Sequence, residues 1–288
     1  LSGSLAKYPA VFSGLMVSMI HVGEESGNVE GVLGQLNIQL EREHDLRSKI
    51  TGALMYPAVI VAAMIGIGIL MLMFVVPKLA ETFADLGAEL PLPTRVVIAL
   101  GTFMLEKWYL AFGGMAVAGV GLCRLSKTEP GKRAVGNIML RLPVISGIVR
   151  KMNAAFTVRT LSSLISAGVS LVQSLEITAG VLGNMRFKRA LLMSAEKVQK
   201  GTELSVALAE HANVYPLTVV QMVEVGEETG QTSEVLAKLA DFYEEEVSAL
   251  TKNLTSIIEP ILMLIIGGVV GFFAISMIQP MYSMLSAF

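Results

Sequence analysis

The chain repeats itself. Val22–Gly27 reads VGEESG, and Val225–Gly230 reads VGEETG 203 residues later. The register holds without a gap on both sides of the motif. Met19 matches Met222, Leu33 and Leu36 match Leu236 and Leu239, and Glu41 and Glu43 match Glu244 and Glu246. Lys49 matches Lys252, Pro57 matches Pro260, and Pro77 matches Pro280. A fixed internal period over such a length means that one structural unit has been used twice. Whatever one copy folds into must therefore suit the other. The chain begins at Leu1 as if inside a helical domain, without a signal-peptide pattern. The counterpart of Arg150–Gly201 is thus expected before Leu1, and the first copy reads as truncated at its N-terminus.

In both copies the repeated segment runs into an apolar stretch. Ala53–Val76 has 24 residues without a charge, and no charge follows Glu259. About 20 apolar residues suffice for a helix to cross the hydrocarbon of a bilayer. Residues 53–76 and 260–278 are therefore expected to be membrane spans. A third span is expected at 108–123, short but flanked by Lys107 and Arg124, with Trp108 and Tyr109 suited to the interface. Composition agrees: 53% of residues are hydrophobic and 16% charged, against about a quarter charged in soluble domains. Gly267 and Gly271 have the small-xxx-small spacing that permits close packing of membrane helices, although glycine is also simply common in such helices.

Lysine and arginine near the span ends set orientation. Eight lie between Arg124 and Arg159, three between Pro77 and Lys107, and none after the last span. The stretches 1–52 and 124–259 are expected on the cytoplasmic side. The loop 77–107 and the tail 279–288 are expected outside. The basic run after Arg124 serves this topology, or holds anionic lipid.

The complete copy reads as helix throughout. Leu171–Leu182, Arg186–Gln199 capped by Asn184, a short Glu203–His211, a helix opened by Pro216, and a long helix from Thr232 or Ser233 all follow from period and capping signals. The last has no breaker before Pro260 and is expected to run on toward the span. The fold class is all-α. It comprises two repeated cytoplasmic helical bundles, of six helices when complete, and three transmembrane helices.

The repeated motif is read as a turn between two helices, with Gly23, Gly27, Gly226 and Gly230 as its structural residues. The glycines explain the turn, but not the acids. Carboxylates at a helix C-terminus oppose its dipole. Glu24, Glu25, Glu227 and Glu228 are therefore candidates for contact with a partner or a second subunit, with a bound cation and a solvated turn as the alternatives.

Reactive chemistry is hard to find. Gly131-Lys132 lacks the rest of a phosphate loop. His21, His44 and His211 fit no metal or triad spacing, and Cys123 stands alone. The expectation is a non-enzyme without cofactor or metal. A net charge of −2 argues against direct contact with nucleic acid.

The duplicated VGE-x-[ST]G motif, the run LSSLISAGVSLVQSLEI at Leu161–Ile177 and the proline-bracketed last span resemble the F-domains of platform proteins in bacterial type II secretion and type IV pilus machines. The resemblance implies an oligomeric scaffold in the inner membrane, a dimer or higher. Its partners would be lipid, a cytoplasmic secretion or pilus ATPase, other inner-membrane machine subunits, and pilins or pseudopilins. A membrane transporter is the alternative. It is disfavoured because none of the three stretches carries a charge to line a path.

Overall fold

A computed structural model describes residues 1–9, 11–85, 91–141 and 143–285, and all of their regular structure is helical. The chain divides into two compact units. One comprises Leu1–Thr51 with Leu125–Lys252, the other Gly52–Arg124 with Asn253–Phe288. Two long helices, α3 (Val29–Leu70) and α13 (Thr232–Leu285), belong in part to each. The sequence boundaries place 1–52 and 124–259 in separate domains; the structure packs residues 1–51 and 125–252 into one compact unit.

That first unit also contains α1 (Ser2–Leu5), α2 (Gly14–Ser26), α7 (Glu129–Arg141), α8 (Pro143–Ser166), α9 (Leu171–Val181), α10 (Met185–Gln199), α11 (Leu204–Ala209) and α12 (Leu217–Thr229). Short polar residues start these helices by accepting backbone N–H groups that have no partner inside the helix. Ser13 accepts from Met16, Ser170 from Gln173, and Asn184 from Arg186. Gly27, Gly168, Gly201 and Gly230 have positive φ and follow helix ends. Pro216 sits at the N-cap of α12, where its missing N–H is not needed.

The largest core joins α8 through α13. Phe187, Leu191, Leu204, Tyr215, Leu236 and Tyr243 are all buried in it. Phe187 and Tyr215 meet edge to face with ring centres 5.1 Å apart. Each such side chain contributes about 1.5–3 kcal/mol by leaving water. A second cluster brings Leu15, Met19, Ile20, Val32 and Leu36 onto Leu164 and Val169. The N-terminal stretch therefore completes its core with residues of α8 and the α8–α9 turn.

In the second unit, α3 gives way to a π-helical turn at Met71–Val75, then α4 (Val76–Asp85), α5 (Leu92–Glu106) and α6 (Trp108–Lys127). Two helical stretches, Val29–Thr82 and Thr232–Gln279, are long and apolar enough to cross a membrane. Ile67, Phe74, Leu264 and Ile275 are among their exposed large apolar side chains. An apolar surface of this kind is stable against hydrocarbon and not against water.

Pro57 and Pro260 lie inside α3 and α13. Such prolines are tolerated in membrane helices because neighbouring groups satisfy the freed carbonyl. The segment 77–107 is not a plain loop. It carries most of α4 and all of α5, with residues 86–90 outside the described set. The tail from 279 continues α13 as far as Leu285, and residues 286–288 lie outside the described set. Residues 108–123 lie within α6.

Candidate functional site

The motif around the paired acids is not a loop. Gly23 through Ser26 form the last turn of α2, and Gly226 through Thr229 the last turn of α12. Both helices have 13 residues and end at Gly27 and Gly230, with φ 70° and ψ 11° in one and φ 69° and ψ 12° in the other. Only a residue free to adopt the left-handed region closes a helix this way without strain. Gly23 and Gly226 act differently. A Cβ on Gly23 would stand 3.2 Å from the Cα of Val29 and the Cβ of Val32. On Gly226 it would stand 3.0 Å from the Cα of Thr232. These two glycines let the next helix fold back against the one just finished. Asn28 caps the start of α3 through Gly31, and the Thr232 hydroxyl donates to the Gly226 carbonyl at 3.1 Å.

Within each pair the two acids have different surroundings. Glu227 accepts the backbone N–H groups of Leu204 at 2.6 Å and Ser205 at 2.9 Å. It therefore caps the N-terminus of α11, whose own N-cap, Glu203, makes no capping bond. Glu24 stands at the matching position and accepts the Ser2 N–H at 3.2 Å and the Ser2 hydroxyl. A carboxylate at a helix N-terminus is favoured by both the free N–H groups and the dipole. The first acid of each motif thus opposes the dipole of its own helix while serving that of a short helix packed beside it. Glu25 and Glu228 are exposed. Glu25 faces the ring of His21 at 3.5 Å.

A second polar cluster lies between α3, α8 and α13. The Arg159 side chain, 14% exposed, donates from Nε to Glu244 at 2.9 Å and from a terminal nitrogen to Asp241. Arg42 reaches the other oxygen of Glu244 at 3.7 Å, and Lys151 pairs with Glu246 at 2.8 Å. Burial pulls the Arg159 guanidinium down, but the bonds to Glu244 and Asp241 outweigh it and hold its pKa above the usual value. Beside this cluster lies an open cavity of about 490 Å³ lined in part by Arg42, Lys49, Glu245 and Lys252. Nearby, Gln39 is buried and bonds Thr160 at 3.4 Å and Ser163 at 3.0 Å. Sequence reading singled out none of these contacts. The run Glu244-Glu245-Glu246 facing a helix with three basic residues, Arg150, Lys151 and Arg159, was the available signal.

The remaining candidates are dispersed. A Cβ on Gly267 or Gly271 would meet nothing within 4 Å, so no other helix approaches either glycine among the described residues. His44 is exposed, and the Nε2 of His211 is buried without a hydrogen-bond partner among the described residues. Among these residues no group of three His, Cys, Asp or Glu side chains could hold a metal ion. The arrangement can fasten helices and present exposed carboxylates.

The model of the family described as type II secretion system, protein F matches residues 1–77 and 157–280. The chain is 36% identical over 285 residues to the type IV pilus assembly protein PilC of Myxococcus xanthus, covering 99% of this chain and 68% of that one. It is 37% identical over 285 residues to PilC of Thermus thermophilus, covering 99% and 70%. It is 32% identical over 282 residues to the type II secretion system protein F of Aeromonas hydrophila, covering 97% and 72%.

Proposed function

The chain belongs to the type II secretion system protein F family, and on that premise we propose that it is the inner-membrane platform of a type II secretion or type IV pilus assembly machine. The observation that carries this reading is the similarity to both kinds of protein over nearly the whole chain. The work of such a platform is mechanical. It couples a cytoplasmic ATPase to pilins or pseudopilins leaving the bilayer.

The topology goes with this role. Two homologous cytoplasmic bundles, of six helices when complete, are tethered by spans at 53–76, 108–123 and 260–278. The N-terminus and 124–259 face the cytoplasm and the C-terminus faces outward. The lysine and arginine asymmetry supports this orientation. The unbroken course of α13 from Thr232 to Leu285 supports rigid transmission, since a helix is stiff at about 1.5 Å per residue. Glu25 and Glu228, the exposed acids, are the contacts for the ATPase or a second copy. Glu24 and Glu227 position the helices beside them. Gly267 and Gly271, open in one chain, are the packing face for another membrane helix in a dimer or larger assembly.

The test is complementation of pilus assembly or secretion in a strain lacking its own platform. The unaltered chain is compared with one carrying a Gly-Gly insertion after Glu246. Full function of the inserted variant at normal protein levels would refute rigid transmission. Solute flux through liposomes containing only this protein would favour a transporter.

A further inference from the structure

We infer that α5 is embedded among the acyl chains of the outer leaflet rather than lying free in the extracytoplasmic space. This rests on the orientation proposed above. Its 15 residues measure about 22 Å, too short to cross the hydrocarbon, which is about 30 Å thick. Its charged residues, Arg95 and Glu106, lie in its first turn and at its end, and Val96–Leu105 carries none.

One side of α5 is packed. Thr94 is 0% and Val97 3% exposed, and Gly101 is buried. A Cβ on Gly101 would come within 2.9 Å of the Leu72 carbonyl oxygen and of a Val76 methyl group. Glycine therefore allows α5 to lie directly on the π-helical turn that ends the first span. The Thr94 hydroxyl donates to the Ser276 carbonyl at 2.6 Å, inside the last span. A buried hydroxyl bonded to a helix carbonyl is how a polar group is accommodated away from water.

The opposite side is equally apolar. Leu92, Val96, Leu100 and Phe103 recur at spacings of three and four and are exposed, Leu92 by 76%. Their neighbours on the helices that α5 packs against are also exposed and apolar: Phe74 and Val75 on the π-helical turn, Ile275 and Ile278 beside Ser276. The stripe on α5 is thus continuous with the surface of two membrane-crossing helices, and what covers those helices covers it. Lipid is that cover. An aqueous setting would leave this continuous apolar patch uncovered, whereas the exposed Arg95, Thr102 and Glu106 on the adjoining side of α5 suit the headgroup region.

The experiment uses the full chain in lipid nanodiscs with Cys123→Ser as background. Single cysteines are placed at Val96→Cys, Leu100→Cys and Phe103→Cys. Ile265→Cys serves as the hydrocarbon control and Lys78→Cys as the water control. Each is tested for reaction with a membrane-impermeant maleimide. Each is then labelled with a small fluorophore in detergent, reconstituted, and quenched by nitroxide carried on acyl chains. The three α5 positions should react at least an order of magnitude more slowly than Lys78→Cys and be quenched like Ile265→Cys. Reaction as fast as Lys78→Cys overturns the inference. Protection without lipid quenching also overturns it, in favour of a covering protein helix. Rapid reaction at Ile265→Cys would instead overturn the membrane topology itself, a result separable from failure at α5 alone.

Discussion

Glu227 and Leu204 are 23 residues apart in sequence and joined by a hydrogen bond of 2.6 Å, the carboxylate accepting the first N–H of α11. The same carboxylate takes the N–H of Ser205, so one side chain on α12 fastens the start of another helix. The neighbouring Glu228 is exposed. The motif therefore holds one acid that folds the protein and one that is free to meet something else.

Glu227→Ala should lower stability by about 1–2 kcal/mol, the range for losing a charged cap. Glu228→Ala should change it by less than about 0.5 kcal/mol, as for an exposed side chain. Denaturant unfolding in detergent, followed by circular dichroism, separates them. Equal losses would mean that Glu227 does not cap α11. Glu25→Gln with Glu228→Gln is the clean variant for partner binding, because it spares both caps.

Gly226→Ala should cost about 1–3 kcal/mol, since its Cβ would press on the backbone of Thr232 at 3.0 Å. Gly180→Ala in α9, where the added methyl meets nothing within 4 Å, should stabilise by about 0.5–1 kcal/mol. Thermal melts of the two variants shifting in the same direction would contradict this packing.

Arg159→Met should cost about 2 kcal/mol, removing the guanidinium that bonds both Glu244 and Asp241 and leaving Glu244 only the longer contact with Arg42. Lys151→Met breaks only a partly exposed pair and should cost under about 1 kcal/mol. A double-mutant cycle of Arg159→Met with Glu244→Gln should show coupling. Strict additivity would show that the contact contributes nothing.

Tyr215 predicts an alkaline limit. Burial raises its phenol pKa, and the bond with Thr157 at 3.1 Å offsets only part of that rise. The unfolded phenol ionises near about pH 10. The folded state keeps the proton longer, so stability is full below that pH and lost as pH rises above it. Tyr215→Phe should be less stable at neutral pH yet show a shallower loss between about pH 10 and 11. An unchanged slope would mean that the phenol is not shielded.

Much of the helical layout was legible because it depends on local chemistry. Asn184 before α10, Pro216 before α12, Gly201 after α10 and the unbroken course of α13 past Pro260 follow from which residues can start, end or continue a helix. The apolar runs were equally plain, since the number of uncharged residues decides whether a helix can reach across hydrocarbon. The motif itself misled by one turn. Glycines and acids read as a turn between two helices, while Gly23 and Gly226 are helical and small for the sake of the neighbouring helix.

The sequence by itself determined where helices begin and end, which of them suit lipid, and that one pattern occurs twice, because those properties reside in residues near one another along the chain. Only the tertiary structure decided that Glu227 serves Leu204, that Arg159 gathers Asp241 and Glu244, and that α5 lies against Leu72 and Ser276. Those contacts join residues that are distant in sequence. They exist because a desolvated carboxylate, guanidinium or hydroxyl must find a partner wherever the packed helices bring one within reach.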